Sequence, residues 1–229
     1  MEQSDRSKAE ILGRIKEAVA NAEPPTAPPQ KAAKIARPED AGSELTLQCF
    51  SEMLQLVGGE CHILAGEEAA VSVLRGLLSE VREEGILVCS DPELEKQAVP
   101  RVIEEAGCEV FRQAVRLSRG EISLEQAAKA AIGITTAQAG IADTGTVVLR
   151  HTAERGRLAA LLPPVHVVFL KRDRVFPDKI SYLAAVRQEG INLAETPETW
   201  VTGPSSTADI EKVLVRGAHG PKRMVVLLH

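Results

Sequence analysis

The sequence predicts an α/β fold: a mainly parallel, layered sheet covered by helices. Three observations carry that prediction. Short apolar or β-branched runs such as ILVC, VHVVFL and MVVLL alternate with Ala/Leu-rich segments of helical periodicity along most of the 229 residues. These runs are continuous rather than alternating, which suits strands buried on both faces. Aromatic residues make up only 3% of the chain, so the core must be built from Val, Leu, Ile and Ala.

Taken in order, residues 4–22 predict an amphipathic helix. Ile11, Leu12, Ile15, Ala18 and Val19 share one face, and Ser4 or Asp5 stands where a cap belongs. Five prolines between positions 24 and 42 follow, with almost nothing to pack, which is the composition of an extended linker. The organisation is therefore an N-terminal helix (1–23), a Pro-rich linker (24–43) and one main domain (44–229). The helix either folds back on its domain or docks on a partner or second copy.

Within the domain, ELTLQCFSEMLQLVGG (44–59) reads as a helix stopped by Gly58-Gly59 and ECHILA as a strand. Residues 67–83 form a second helix and GILVCS a second strand. SDPELEKQAVPRVIEEAG (90–107) reads as one helix entered through Asp91-Pro92. CEVFRQAV is a strand, EISLEQAAKA a helix, and AIGIT, AGIA and GTVVLRHT strand segments. A short helix at 154–161, the strand VHVVFL, a helix at 177–189, the strand TWVTG, a helix over TADIEKVLVRG (207–217) and a last strand RMVVLLH complete the pattern.

Composition narrows function. Lys plus Arg number 27 against 32 for Asp plus Glu, a formal net charge of −5, and no basic stripe accompanies the few aromatics. Nucleic acid is thereby disfavoured as a partner. The cysteines at 49, 61, 89 and 108 fit neither a CxxC pair nor an iron–sulfur run, so reduced, packed thiols in the cytoplasm are expected. The charged N-terminus is not a signal peptide, and no stretch approaches the length of a membrane span. GxGxxG, GxxxxGK[ST], HExxH and GxSxG are all missing, so no cofactor is specified and no metal site is expected.

Three polar stretches remain. In VTGPSSTADI an apolar run stops at Gly203-Pro204 and hands over to Ser205, Ser206, Thr207 and Asp209. If a helix starts there, its N-terminus offers N–H groups and roughly half a positive charge to a carboxylate or phosphate. The same residues also match a loose capping box that needs no ligand. In IADTGTVVLR, Asp143, Thr144, Gly145 and Thr146 interrupt an apolar strand, as a bulge or turn with local bonding or as a carboxylate and hydroxyls offered to a ligand. In RGAHGPKR, His219 stands among small residues, including Gly220, as a solvated loop histidine or as an acid, base or donor near neutral pH. His62 and His166 lie within strand patterns and read as packing residues, and His151 follows a strand end.

GITTAQAGIADTGTVVL, RLAALLPPVHVVFL, TGPSSTADIE and GAHGPK, in this order, closely resemble the lactate-utilisation protein C family of LUD-domain proteins over about residues 45–229. The resemblance implies a sheet of the NagB/RpiA/CoA-transferase type. It also implies a part in oxidising L-lactate to pyruvate beside iron–sulfur partner proteins. The family's marked positions fall on Thr136, Asp143, Thr144, Gly145, Thr146, Arg157, Pro163, Gly203, Pro204, Ser205, Thr207, Asp209, Glu211, His219, Gly220 and Pro221. Where many relatives carry Glu, this chain has the shorter Asp143. On this reading the three loops converge on one pocket for a small carboxylate, another anion or a linked cofactor. N–H groups around Ser205 to Thr207 hold the anion, Asp143 and Asp209 orient hydroxyls or a basic group, and His219 supplies a proton or a hydrogen bond. The alternative is a stand-alone isomerase or acyl/CoA-transferase-like enzyme on a small phosphorylated or CoA-linked substrate. A third reading is an interaction module that works through the N-terminal helix.

Overall fold

Ser43 starts the main domain by accepting a hydrogen bond from the Thr46 N–H at 3.3 Å, which caps α1 (Glu44–Leu56). Leu47, Phe50 and Leu54 recur at helical spacing and are fully buried, so α1 is pinned by one face. The computed structural model describes residues 11–14, 16–17, 40–81, 84–97, 99–113, 127–152, 155–208 and 214–229. The chain divides into two compact units, Met1–Ile35 and Ala36–His229. In the first, residues 11–14 and 16–17 are helical, with Ile11 and Leu12 exposed.

The second unit continues with β1 (Glu60–Ile63), α2 (Glu67–Ser79), β2 (Gly85–Cys89), α3 (Pro92–Lys96), α4 (Val99–Glu105) and β3 (Glu109–Gln113). The stretch 90–107, read as one helix, is thus divided in two. The Gln97 N–H closes α3 on Glu93, and Pro100 falls in the first turn of α4, where its missing N–H leaves no bond unmade. Then follow β4 (Ala130–Thr136), β5 (Ala139–Ile141), β6 (Thr146–Arg150), α5 (Leu158–Leu161), β7 (Val165–Leu170), β8 (Val175–Phe176), α6 (Lys179–Gln188), β9 (Glu198–Thr202), β10 (Ser206–Ala208), β11 (Leu214–Arg216) and β12 (Arg223–Leu228). Most of EISLEQAAKA lies outside the described residues.

Six strands form a wholly parallel sheet in the order β1-β12-β7-β4-β2-β3. Strand alternation divides its side chains between two layers. Val167, Phe169, Val225 and Leu227 join Leu74, Leu78 and Ile103 of α2 and α4 on one face. Val168, Leu170, Val226 and Leu228 face α1 and the inner side of a second sheet, where Val147 and Leu149 lie. That second sheet is mixed, in the order β8-β5-β6-β9. Its outer face, with Ile141 and Val148, is covered by Tyr182 and Val186 of α6. Among the described residues no helix is long and apolar enough to cross a membrane.

Of the readings offered for Asp143–Thr146 the turn is the one observed: it links β5 and β6, which pair antiparallel with Ala139 opposite Val148. One expectation is corrected. The helix expected over 207–217 is absent from its described part, where Ser206–Ala208 and Leu214–Arg216 pair as an antiparallel ribbon. The reason lies in Thr207 and Val215, β-branched residues that favour extended backbone, and in Gly217, which leaves the ribbon at φ 76°.

Candidate functional site

Ser206–Ala208 is a strand, so the described residues Ser205–Thr207 do not form the helix start that was to attract an anion. What remains is a set of polar loops, and the structure brings most of them side by side. The turn after β5 presses on the end of α1. Gly145 has φ 62°, and a β-carbon there would stand 2.3 Å from the Leu54 amide nitrogen, so only glycine fits. Its neighbours form a hydroxyl chain: Thr144 Oγ1 to Thr146 Oγ1 at 2.8 Å, and Thr146 Oγ1 to Thr202 Oγ1 at 2.7 Å. Thr146 is buried, whereas Asp143 and Thr144 are exposed. Gly203 follows Thr202 at φ 74°, with its missing side chain directed at Val57.

From Gly203 and the buried Pro204 the strip continues to Ser205, whose N–H donates to the Pro221 carbonyl at 2.9 Å and whose carbonyl accepts from the Gly217 N–H at 2.8 Å. These bonds lock the loop to the His219 loop. Gly220 lies against the Ser205 side chain, a β-carbon there falling 3.2 Å from Ser205 Cβ. Ser206, Thr207 and His219 are exposed. Asp209 and Glu211 lie outside the described residues.

The strip lies at the carboxyl end of β9 but at the amino end of the parallel sheet, because Lys222, next to Pro221, donates to Pro164 just before β7. Thr136 parts company with it. It ends β4 at the opposite, carboxyl end of the same sheet, roughly 17 Å away along β7. There its hydroxyl donates to the buried Asp91 carboxylate, which also meets Arg155 Nε at 2.7 Å. Arg157 stands exposed before α5, and Pro163 is buried, in contact range of a β-carbon at Gly133.

Sequence reasoning missed Asp91 as anything but a cap, and it missed Arg155 altogether. The available signal was an acid directly after a buried run, at the carboxyl end of an interior strand.

The thiols are dispersed. Cys49 is on α1, Cys61 on β1, Cys89 ends β2 and Cys108 precedes β3. Burial pushes Cys61 up to about 11 and Cys89 up to about 12, so both stay protonated at neutral pH.

A parallel sheet backed by helices, a second sheet stacked on its other face and polar loops at both sheet ends define a layered α/β domain without a nucleotide-binding motif. The chain belongs to the LUD domain family, whose model matches residues 47–229. It is 31% identical over 172 residues to the uncharacterized protein YkgG of Escherichia coli, covering 73% of this chain and 72% of that one. It is 28% identical over 227 residues to the lactate utilization protein C of Deinococcus radiodurans, covering 97% and 95% of the two chains. With the lactate utilization protein C of Bacillus subtilis it shares 34% identity over 112 residues, about half of each chain (48% and 47%). Among solved structures it resembles a DUF162 family protein of Deinococcus radiodurans, with a TM-score of 0.58 and 20% identity over 80% of this chain and 96% of that one. That likeness is one of fold.

Proposed function

We propose that this chain serves lactate utilisation, as the non-iron–sulfur component of a cytoplasmic system that oxidises L-lactate to pyruvate together with iron–sulfur partner proteins. The observation that carries the reading is the contiguity of the strip from Thr144 through Thr146, Thr202, Gly203 and Ser205 to Gly220. It belongs to a chain that matches a protein named lactate utilization protein C almost from end to end. Supporting it further, the cysteines are scattered over separate elements, and burial keeps two of them as thiols. In this reading electrons pass through the partners, while this chain holds a small anionic ligand or linked cofactor along the strip. The Ser205 hydroxyl and the exposed Thr207 and His219 side chains supply hydrogen bonds, and His219 exchanges a proton.

The test is complementation. A bacterium lacking its own homologue is given this chain and grown with L-lactate as sole carbon source, and the tagged chain is purified from it. Growth with co-purified iron–sulfur proteins is the expected result, and Ser205→Tyr, which fills the strip beside Gly220, is expected to abolish growth while leaving the fold intact. Deletion of residues 1–35, which leaves the second unit whole, separates partner docking from the domain's own stability. Failure to complement, with turnover of a sugar phosphate or acyl-CoA by the isolated chain, would replace the reading with that of a stand-alone isomerase or transferase.

A further inference from the structure

The second sheet ends on β9, and the direction of its main-chain groups follows from two bonds. The Gln138 N–H donates to the Val148 carbonyl at 2.8 Å, so Val148 of β6 faces β5. Its neighbours Val147 and Leu149 therefore face β9, where they stand opposite Val201 and Thr199. The His151 N–H donates to the Pro197 carbonyl at 2.9 Å and continues the same alternation. Thr199 and Val201 thus bond to β6, whereas Glu198, Trp200 and Thr202 turn their N–H and C=O groups away from it. Among the described residues no strand pairs with that side of β9, and these groups have no main-chain partner.

The other strand edges are protected. β8 is two residues long, and its Val175 carbonyl accepts from the Gly42 N–H at 2.9 Å. β1 carries Glu60, and β3 carries Glu109 and Arg112, charges that deter a further strand. β9, ETWVT, has neither lysine nor proline, and its register with β6 is unbroken over five residues. Its one charge is withdrawn. Glu198 is 5% exposed, pairs with Arg150 at 3.1 Å and accepts from the Tyr182 hydroxyl and from Trp200 Nε1. What the edge shows to solvent is Trp200, the chain's one tryptophan, which is 41% exposed and in T-shaped contact with Tyr182 at 5.7 Å.

We propose that β9 pairs with the β9 of a second copy of this chain, antiparallel and across a two-fold axis at Trp200. In that register Trp200 stands opposite its own counterpart, and Glu198 stands opposite the counterpart of Thr202. Each opposite pair exchanges both of its main-chain bonds. Opposite side chains share a face, so the two exposed indoles meet on the side that α6 covers. Centring on Trp200 pairs all three outward-facing residues at once; the next allowed register leaves Glu198 or Thr202 unpaired in both copies.

Charge names the occupant. A charged peptide finds no opposite charge on this edge, whereas two copies of a neutral edge meet without repulsion and close on each other by symmetry. The pairing joins two four-stranded sheets through their unprotected edges. It stands whether or not the chain serves lactate utilisation.

The experiment is sedimentation of the full chain from about 1 μM to about 1 mM, with hydrogen exchange followed at both ends of that range. A monomer–dimer equilibrium with a Kd on the order of 10–100 μM is expected, the strength of a small interface. As the dimer forms, the Trp200 amide should exchange at least about tenfold more slowly, while the Thr199 and Val201 amides, bonded to β6, are slow throughout. Trp200→Lys puts a charge on the edge and should weaken dimerisation at least about tenfold. Trp200→Phe, which keeps an apolar ring, should still dimerise and is read alongside in case the lysine variant fails to fold. A monomer at every concentration, the result if the edge serves a strand of another protein, would overturn the proposal. So would a slow Trp200 amide in the dilute monomer, the mark of another segment of the same chain on this edge. A dimer in which that amide stays fast, or a folded Trp200→Lys that dimerises like the parent, would place the contact elsewhere and overturn it too.

Discussion

Arg150 and Glu198 close the ladder between β6 and β9 with an ion pair at 3.1 Å, their side chains 10% and 5% exposed. The Tyr182 hydroxyl donates to the same Glu198 oxygen, and Trp200 Nε1 donates to the other at 3.2 Å. Glu198→Ala therefore leaves a guanidinium in a poorly hydrated place, and a loss of about 3–5 kcal/mol is expected in urea unfolding. Arg150→Met combined with Glu198→Ala should recover most of it. A single-variant loss of less than about 1 kcal/mol would class the pair with exposed ion pairs.

A second prediction concerns pH. His166 is fully buried in β7, its Nε2 bonded to Thr135 Oγ1 at 2.8 Å, and burial lowers its pKa from the ordinary 6.5 to about 4. In the unfolded chain the ring takes up a proton as pH falls through 6.5, and in the folded protein only near 4. Stability is therefore highest above pH 6.5 and is lost as pH falls from 6.5 to about 4. The total is roughly 3 kcal/mol, added to by the smaller downward shifts of His151 and His229. Unfolding curves across this window should show a shallower pH slope for His166→Gln than for the parent. Equal slopes would refute the assignment.

Two glycines with nearly the same backbone give a third prediction. Gly145 and Gly107 have φ of 62° and 77°, but a β-carbon at Gly107 meets nothing within 4 Å. Gly107→Ala should cost about 1–2 kcal/mol, the strain of the left-handed backbone alone. Gly145→Ala must also push α1 off its seat and should lower the melting temperature clearly further.

Thiol chemistry supplies a fourth. Cys49 is exposed, whereas Cys61 and Cys89 are raised to about 11 and about 12 by burial and Cys108 is buried. Brief alkylation of the native protein at pH 7.5, followed by mass mapping, should label Cys49 first and leave Cys89 and Cys108 until unfolding. Early modification of Cys89 would contradict its position at the end of β2.

Much of this fold was legible because burial on both faces leaves a direct trace. VHVVFL and RMVVLL could hardly be anything but interior strands, and they became β7 and β12. Segments whose conformation depends on a partner strand were harder. Ser206–Ala208 and Leu214–Arg216 carry no marked periodicity, and in these two segments strand pairing stands where a helix was expected. The turn at Asp143–Thr146 was visible as an interruption, but not that the strands on either side of it fold back on each other. At the sites, Ser205 and Gly220 could be picked out one by one, and their contact could not. Asp91 and Arg155 escaped because neither belongs to a motif; only the reversal of strand order brings them together.

The position of β12 has a consequence for biosynthesis. It lies inside the parallel sheet, between β7 and the early strand β1, so β1 has no neighbour until Arg223–Leu228 arrives. A nascent polypeptide whose Arg223–Leu228 has not yet left the ribosomal tunnel cannot complete this sheet, and a stop before Arg223 would leave two strand edges open to intermolecular pairing. Quality control should therefore treat the loss of β12 as harshly as the loss of half the domain.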